Sequence, residues 1–297
     1  MNTAKSPTGA ILTEKPGIAI VGTGAVGSAL GLALSEHYPI RAILSRHIDR
    51  AHRLASTVGA TYAISIVDPL PIDVRIVFLC VPDDAITQTA AKLAESTDWQ
   101  GIIAAHTSGA KAASALQPLA EKGASIMSFH PVQTFVKDTK ASFSDIYIGL
   151  EGDAEAVEAG IQISEQLGAK HVVIDTENKP VYHLAASIAS NYLVTLMSNA
   201  CDALESIGLK RTEAVALLKP LVMQTCTNVT SSLPEQALSG PAARGDQQTL
   251  DMHIKAIQAH LPQMEDFYRT LLASTLEVAR KGSRLTTQDI EEIKQNL

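Results

Sequence analysis

Apolar and polar positions along this chain follow two rules in succession. Up to about residue 175, short apolar blocks bounded by polar or glycine-containing turns alternate with segments in which apolar residues recur every three or four positions. The blocks at 18–21, 40–44, 61–64, 75–81, 101–105, 125–129, 146–150 and 171–174 predict strands. The segments after the first glycine turn and at 50–58, 84–94, 112–122 and 154–167 predict helices. Strands that alternate with helices imply a mostly parallel sheet covered on both faces. From Pro180 onward no strand pattern recurs. Helical periodicity runs over 180–206, 212–229, 246–260, 263–281 and 286–296. Pro180 suits a first helical position, with Asn178 as a cap before it. The expected organisation is an α/β domain over 16–176 and an all-helical domain over 177–297, with residues 1–16 as a loosely docked arm.

The first strand and helix carry the most specific signal. The stretch GIAIVGTGAVGSALGLAL runs from an apolar block into Gly22, Gly24 and Gly27 and on into Ala29, Leu30, Ala33 and Leu34 at helical spacing. This is the order of a dinucleotide-binding Rossmann unit. Gly22 permits the tight turn, Gly24 lets a pyrophosphate approach the backbone, and Gly27 lets the helix pack on the strand. The helix start, with Ala25 and Val26, then offers free N–H groups and a positive dipole end to the phosphates.

An NAD site places a carboxylate at the end of the second strand, about twenty residues after the glycines. Here that position reads Leu44, Ser45, Arg46, and no carboxylate comes before Asp49. Serine and a guanidinium suit a 2′-phosphate, which arginine can grip bidentately. The cofactor expected is therefore NADP(H), with His47 and Arg50 as further members of the clamp.

Bulk properties narrow the partners. The chain of 297 residues, 46% hydrophobic, is long enough for two cores. The net charge of −7 lies wholly in the second half, because residues 1–150 carry twelve basic and twelve acidic side chains. No basic run occurs, so nucleic acid is not an expected partner. Residues 17–35 are uncharged, but their glycines and strand-like opening argue against a membrane span. Three cysteines in no zinc spacing fit a reduced, cytoplasmic setting.

Ligands in such sheets bind beyond the carboxyl ends of the strands. The loops there hold Val81 and Pro82, then His106, Thr107 and Ser108, then His130. Val81, Pro82 and Thr107 are candidate cofactor contacts; His106, Ser108 and His130 are candidate substrate contacts, although a capping loop and a structural histidine account for the same residues. On the helix from Pro180, Lys179, His183, Ser187 and Asn191 recur every fourth residue. Lys179 and Asn191 would lie about 18 Å apart along the axis and cannot meet at one reacting carbon. His183, Ser187 and Asn191 form a polar stripe that is either catalytic or a helix–helix hydrogen-bond network. Arg244 suits an anionic group on a substrate. Asp246 either joins it or caps the helix that begins there. No short ligand motif joins His106, His130, His183 and His253, so no metal is expected.

The segments HTSGA, SFHPVQTF, YHLAASIASN and ALSGPAARGDQQT, following GTGAVG in this order, resemble the two-domain Rossmann-like NADP oxidoreductase family with a C-terminal helical domain of unknown function. The similarity covers about residues 16–281. The family is more distantly similar to deazaflavin-dependent NADP reductases, pyrroline-carboxylate reductases, ketopantoate reductases and 6-phosphogluconate-type dehydrogenases. The resemblance implies a helical domain like that of 6-phosphogluconate dehydrogenase, a homodimer formed through it, and an active site in the interdomain cleft. In the hydroxyacid dehydrogenases of that superfamily, a Lys and an Asn four residues apart act as acid/base and substrate orienter. Asn191 keeps the Asn position, but Ser187 replaces the Lys. His183, one turn earlier, takes the acid role in the expected mechanism, since an imidazole can give up a proton where a serine hydroxyl does not. The function expected is reduction of a C=O or C=N group on a small anionic metabolite; the alternative is a non-catalytic NADP(H)-binding or sensing dimer.

Overall fold

The computed structural model describes residues 15–136 and 141–296. The arm expected over 1–16 lies outside them as far as residue 14. The first part of the chain forms β1 (Gly17–Val21), α1 (Ala25–Ser35), β2 (Ile40–Leu44), α2 (Ile48–Val58), β3 (Tyr62–Ile64), β4 (Val74–Leu79) and α3 (Ile86–Ser96). It continues with β5 (Ile103–His106), α4 (Gln117–Ala120), β6 (Ser125–Pro131), β7 (Tyr147–Gly152), α5 (Ala154–Gln166) and β8 (Lys170–Val173). The eight strands make one sheet in the order β3-β2-β1-β4-β5-β6-β7-β8. Its first six positions have the order of the doubly wound dinucleotide fold. Every neighbouring pair is parallel except β6 and β7, whose antiparallel register sets Ser128 opposite Glu151 and His130 opposite Gly149.

Both faces of the inner strands are buried, which is why β1, β2, β4, β5 and β6 read as continuous apolar blocks, whereas the edge strand β8 is exposed. Ile18, Ile20, Ile43, Phe78 and Phe129 face Leu30 and Leu34 of α1 and Leu54 of α2. Ala19, Val21, Leu44, Val77 and Leu79 face Ile86, Ala90 and Leu93 of α3, together with Trp99. The fully buried Trp99 donates its indole N–H to Leu93 O at 3.1 Å, so its one polar atom is satisfied.

Two expected elements differ. The helix predicted over 112–122 is a 3-10 turn at Ala113–Leu116 followed by the short α4, with proline near its start. Pro118 has no N–H to bond the carbonyl four residues back, which disfavours a continuous helix through it and suits the first turn of α4 instead. The strand predicted from residue 101 begins at Ile103, because Gly101 takes a left-handed conformation with φ 71°.

The helical part comprises α6 (Lys179–Glu205), α7 (Arg211–Ser231), α8 (Pro234–Ala237), α9 (Pro241–Arg244), α10 (Gln247–His260), α11 (Glu265–Lys281) and α12 (Thr287–Asn296). A 3-10 turn at Thr176–Asn178 leads into α6, and Asn178 turns its amide toward Asp175. The chain divides into two compact units, Met1–Ser190 and Asn191–Leu297, so the division falls within α6. The second unit has its own core of Ala242, Leu250, Leu272, Leu276, Ile290 and Ile293. Arg211, at the start of α7, binds Asp202 at 2.7 Å, Glu205 at 2.6 Å and Ser198 at 2.7 Å. Over its 21 residues α7 buries only Ala214. No described helix is long and apolar enough to cross a membrane.

Candidate functional site

The turn between β1 and α1 has the chemistry of an anion cradle. Gly22 sits at φ 104°, and a Cβ there would collide with the Cys80 carbonyl. A Cβ on Gly27 would collide with the Gly22 carbonyl, so that glycine is what allows α1 to approach the turn. Gly24 differs: a Cβ on it would meet no protein atom within 4 Å. Its missing side chain leaves space on the side where a ligand phosphate would approach. Gly24 is also the N-cap of α1, which has no side-chain cap and no acidic residue in its first turn. The free N–H groups of Ala25, Val26 and Gly27 and the positive end of the dipole are thus left for an anion.

A cavity of about 250 Å³ opens beside this turn. Gly22, Gly24, Ser45, Arg46, Val81 and Pro82, all candidate cofactor contacts, line it. So do His47 and Arg50, and Lys92 on α3 adds a third full positive charge. No carboxylate is among the described lining residues. Ser45 is buried, and its Oγ accepts the His47 N–H at 3.1 Å, which fixes the loop that carries Arg46. Cys80 also lines the cavity, and burial pushes its thiol up to about 12, so it stays protonated. Thr107 does not line the cavity but hydrogen-bonds Cys80 behind it.

Next to this cavity, at the ends of β4, β5 and β6, lies a cluster of titratable groups in the same compact unit. Lys179, the first residue of α6, is 2% exposed. Its Nζ donates to Ser128 Oγ at 2.6 Å and lies 3.6 Å from Glu151 Oε2. Glu151 is itself buried; Oε2 accepts the Ala113 N–H at 2.8 Å and Oε1 accepts the Thr176 hydroxyl at 2.9 Å. Ser128 Oγ in turn donates to Ser108 O at 3.0 Å. Burial lowers the Lys179 pKa, and Glu151 and Asp83 oppose that shift.

Expected as substrate contacts, His106 and Ser108 are instead spent on their own loop. His106 is fully buried; Nε2 donates to Ala112 O at 3.0 Å and Nδ1 accepts the Ser108 N–H at 3.2 Å. Burial lowers its pKa, with the nearby Lys179 ammonium acting in the same direction. Ser108 Oγ accepts the N–H groups of Ala110 and Lys111 at 3.2 and 3.0 Å. Neither ring nitrogen of His106 is left for a ligand.

His130 and His183 do converge. Their ring centroids are 6.3 Å apart in edge-to-face geometry. His130 Nδ1 lies 2.7 Å from Tyr182 Oη. Burial pushes the His130 pKa down to about 4, and Lys179 and His183 add to the shift. His183 Nδ1 is buried without a hydrogen-bond partner among the described residues. Ser187, one turn further along α6, is half-buried. In the second unit, Asn191 is exposed and its carbonyl accepts the Thr195 hydroxyl at 3.4 Å. Arg244 is exposed in the last turn of α9. Asp246 is the N-cap of α10, accepting the Thr249 N–H at 3.2 Å and its hydroxyl at 2.8 Å. The cap role accounts for its side chain. His253 Nδ1 pairs with Tyr268 Oη at 2.9 Å. Among the described residues no three His, Cys, Asp or Glu side chains are grouped to hold a metal ion.

Sequence comparison matches residues 3–131 to the Rossmann-like domain and residues 146–275 to the domain of unknown function DUF2520. The chain is thus similar to a Rossmann-like domain over its first part and to DUF2520 over much of the rest. No curated protein matches its sequence. Among solved structures it is similar to protein TM1727 from Thermotoga maritima at 29% identity, with 89% of this chain and 99% of that one covered and a TM-score of 0.71. The candidate NADP oxidoreductase BF3122 from Bacteroides fragilis matches at 23% identity, 89% and 98% coverage and a TM-score of 0.72. An imine reductase from Aspergillus terreus, in complex with NADPH4 and dibenz[c,e]azepine, shares the fold at 15% identity, 94% and 99% coverage and a TM-score of 0.62.

The DUF2520 match begins at β7, so Glu151, Lys179, Tyr182 and His183 all belong to it, while His106 and His130 belong to the Rossmann-like match. Sequence reasoning missed Glu151 and Tyr182 as cluster members and placed Lys179 only in the every-fourth-residue series that leads into α6. The available signal was a lysine and a tyrosine at the start of an Ala-rich helix, but nothing in the spacing identifies their partners on β6 and β7.

The His130 shift has a pH consequence. Its pKa falls from 6.5 to about 4 on folding, so the folded state binds this proton less readily than the unfolded chain. The associated stability is fully present above pH 6.5 and is lost as pH falls toward 4. Urea unfolding of wild type and His130→Gln across this range should show a steeper loss in wild type. Parallel profiles would contradict the assignment.

Proposed function

We propose that this chain is an NADP(H)-dependent oxidoreductase that acts on a C=O or C=N group of a small metabolite. The observation that carries this reading is the cavity beside the glycine turn, lined by Ser45, Arg46, His47, Arg50 and Lys92 and by no described carboxylate. A carboxylate there would suit a bare ribose diol and repel a 2′-phosphate; three full cations do the reverse. The open space at Gly24 and the uncapped start of α1 fit the pyrophosphate. When bound, NADP(H) supplies or accepts the hydride. The fold neighbours that are NADPH complexes, including the imine reductase, support the same reading.

In this reading Ser45 and Arg46 hold the 2′-phosphate, with Arg50 and Lys92 beside them. His183 exchanges the proton of the reacting group, and His130 orients that group. Ser187, one turn along α6 from His183 and in the same compact unit, belongs to the wider substrate environment. The cluster at the strand ends favours a catalyst over a non-catalytic sensor, because a purely structural imidazole has no need to leave a buried nitrogen without a partner.

The helical unit supports a second copy of the chain as its partner. Leu193, Val194, Val215, Leu217, Leu221 and Met223 are exposed on α6 and α7. An open, largely apolar cavity of about 430 Å³ lies between those helices, lined by Leu193, Met197, Cys201 and Val222 among others. Apolar surface of this extent on neighbouring helices is characteristic of a protein–protein contact.

Two experiments test these readings. Fluorescence titration should show Arg46→Glu weakening NADPH by on the order of tenfold or more, as expected for a lost charged contact, with NADH affected far less. Equal losses for both cofactors would contradict the 2′-phosphate assignment. Light scattering should find a dimer that Leu217→Glu with Leu221→Glu converts to folded monomer; a monomeric wild type would rule out the homodimer.

A further inference from the structure

An added Cβ at Gly109 would lie 2.7 Å from His130 Nε2 and 2.8 Å from His183 Nδ1. The two nitrogens are therefore within two hydrogen-bond lengths of each other, a separation that one ligand atom clear of the Gly109 backbone can bridge. Gly109 is what lets the two imidazoles approach the loop backbone; any side chain there would clash with both rings. His183 Nδ1 has no partner among the described residues, which in a buried nitrogen marks a place where a ligand atom completes the set.

The other side of His130 fixes what it presents. Burial raises the Tyr182 phenol to about 12, so it keeps its proton and can donate it to His130 Nδ1 across their 2.7 Å contact. A neutral His130 that accepts at Nδ1 carries its own proton on Nε2, facing His183. Gly149, opposite His130 on β7, clears the space for this phenol, since a Cβ there would collide with Tyr182 Oη.

We propose that His130 Nε2–H and His183 Nδ1 together grip one substrate oxygen, with Tyr182 as the positioning residue that sets the His130 tautomer, and that the substrate is consequently a carbonyl/alcohol pair rather than an imine/amine pair. This rests on the oxidoreductase reading above and narrows its substrate class. A carbonyl oxygen has two lone pairs and accepts from His130 Nε2–H and from His183 when Nδ1 carries a proton, which the oxygen takes up as the hydride arrives at carbon. The corresponding hydroxyl accepts from His130 and donates to His183 Nδ1, so the same two atoms serve both oxidation states. The nitrogen of an N-substituted imine such as 1-pyrroline has one lone pair and no N–H. It can satisfy only one of the two imidazoles, and leaving the other unpaired in a buried site is costly. The chain would therefore differ in substrate from its imine-reductase fold neighbours.

Long-range 1H–15N NMR of the imidazoles in the full chain tests this, with His130→Gln and His183→Gln as assignment variants. Ring-matched probes, cyclopentanone and 1-pyrroline, are added in turn with NADP+ present. The expected result is an Nε2–H tautomer for His130, which Tyr182→Phe abolishes, and larger shifts of both imidazoles with cyclopentanone than with 1-pyrroline. An Nδ1–H tautomer for His130 in wild type would overturn the proposal. So would a larger response to 1-pyrroline, or no response of either imidazole to cyclopentanone. NADPH titration by fluorescence reads the cofactor cavity separately, so a failed imidazole result with intact cofactor binding leaves the oxidoreductase reading standing.

Discussion

The ammonium of Lys179 is held out of water at the junction of β6, β7 and the start of α6, and much of the local geometry depends on it. Taking such a charge out of water costs several kcal/mol, and only close partners offset the cost. Ser128 Oγ at 2.6 Å and Glu151 Oε2 at 3.6 Å are those partners, and they face each other across the one antiparallel pair of the sheet. Each also reaches the loop that follows β5: Ser128 through the Ser108 carbonyl, Glu151 through the Ala113 N–H. That loop carries Gly109, and Gly109 is where His130 and His183 meet. Losing one member of a buried ion pair typically costs about 3–5 kcal/mol. Here the loss would also release the loop that sets the imidazole geometry.

Two electrostatic regimes adjoin along the carboxyl edge of this sheet. Around the glycine turn, Arg46, Arg50 and Lys92 line an open cavity with full charges suited to phosphate. Around Gly109, burial and the Lys179 charge keep His130 neutral, and burial keeps Tyr182 protonated. The first environment binds by charge; the second presents directed, neutral hydrogen-bonding groups. The short connection from Pro82, which lines the cavity, to Asp83, whose charge acts on both Lys179 and His130, links them. Such a division suits a cofactor that is anionic at one end and reacts at the other.

The sequence made the frame legible because two-faced burial leaves a direct trace. The block 40–44 and the structure's β2 coincide, and the five long helices of the C-terminal part fall within two residues of their predicted bounds, while the short α8 and α9 have no predicted counterpart. The glycine turn and Ser45–Arg46 were readable because each residue acts where it stands in the chain. The substrate side was harder for the opposite reason. His106 looked chemically active, yet its partners are two backbone groups within six residues, a local use that composition does not reveal. Lys179 and Glu151 meet only because β7 runs antiparallel to β6, and periodicity carries no strand direction. Tyr182 was hidden in the same way, since its partner His130 lies 52 residues back.

The most direct test of the account is a crystal structure with NADP+ bound. The predicted result has the 2′-phosphate against Ser45 and Arg46, the pyrophosphate over Gly24 at the start of α1, and the nicotinamide beyond Pro82 on the side of His130 and His183. A cofactor whose adenosine lies away from Arg46, or whose nicotinamide turns away from the two imidazoles, would contradict it.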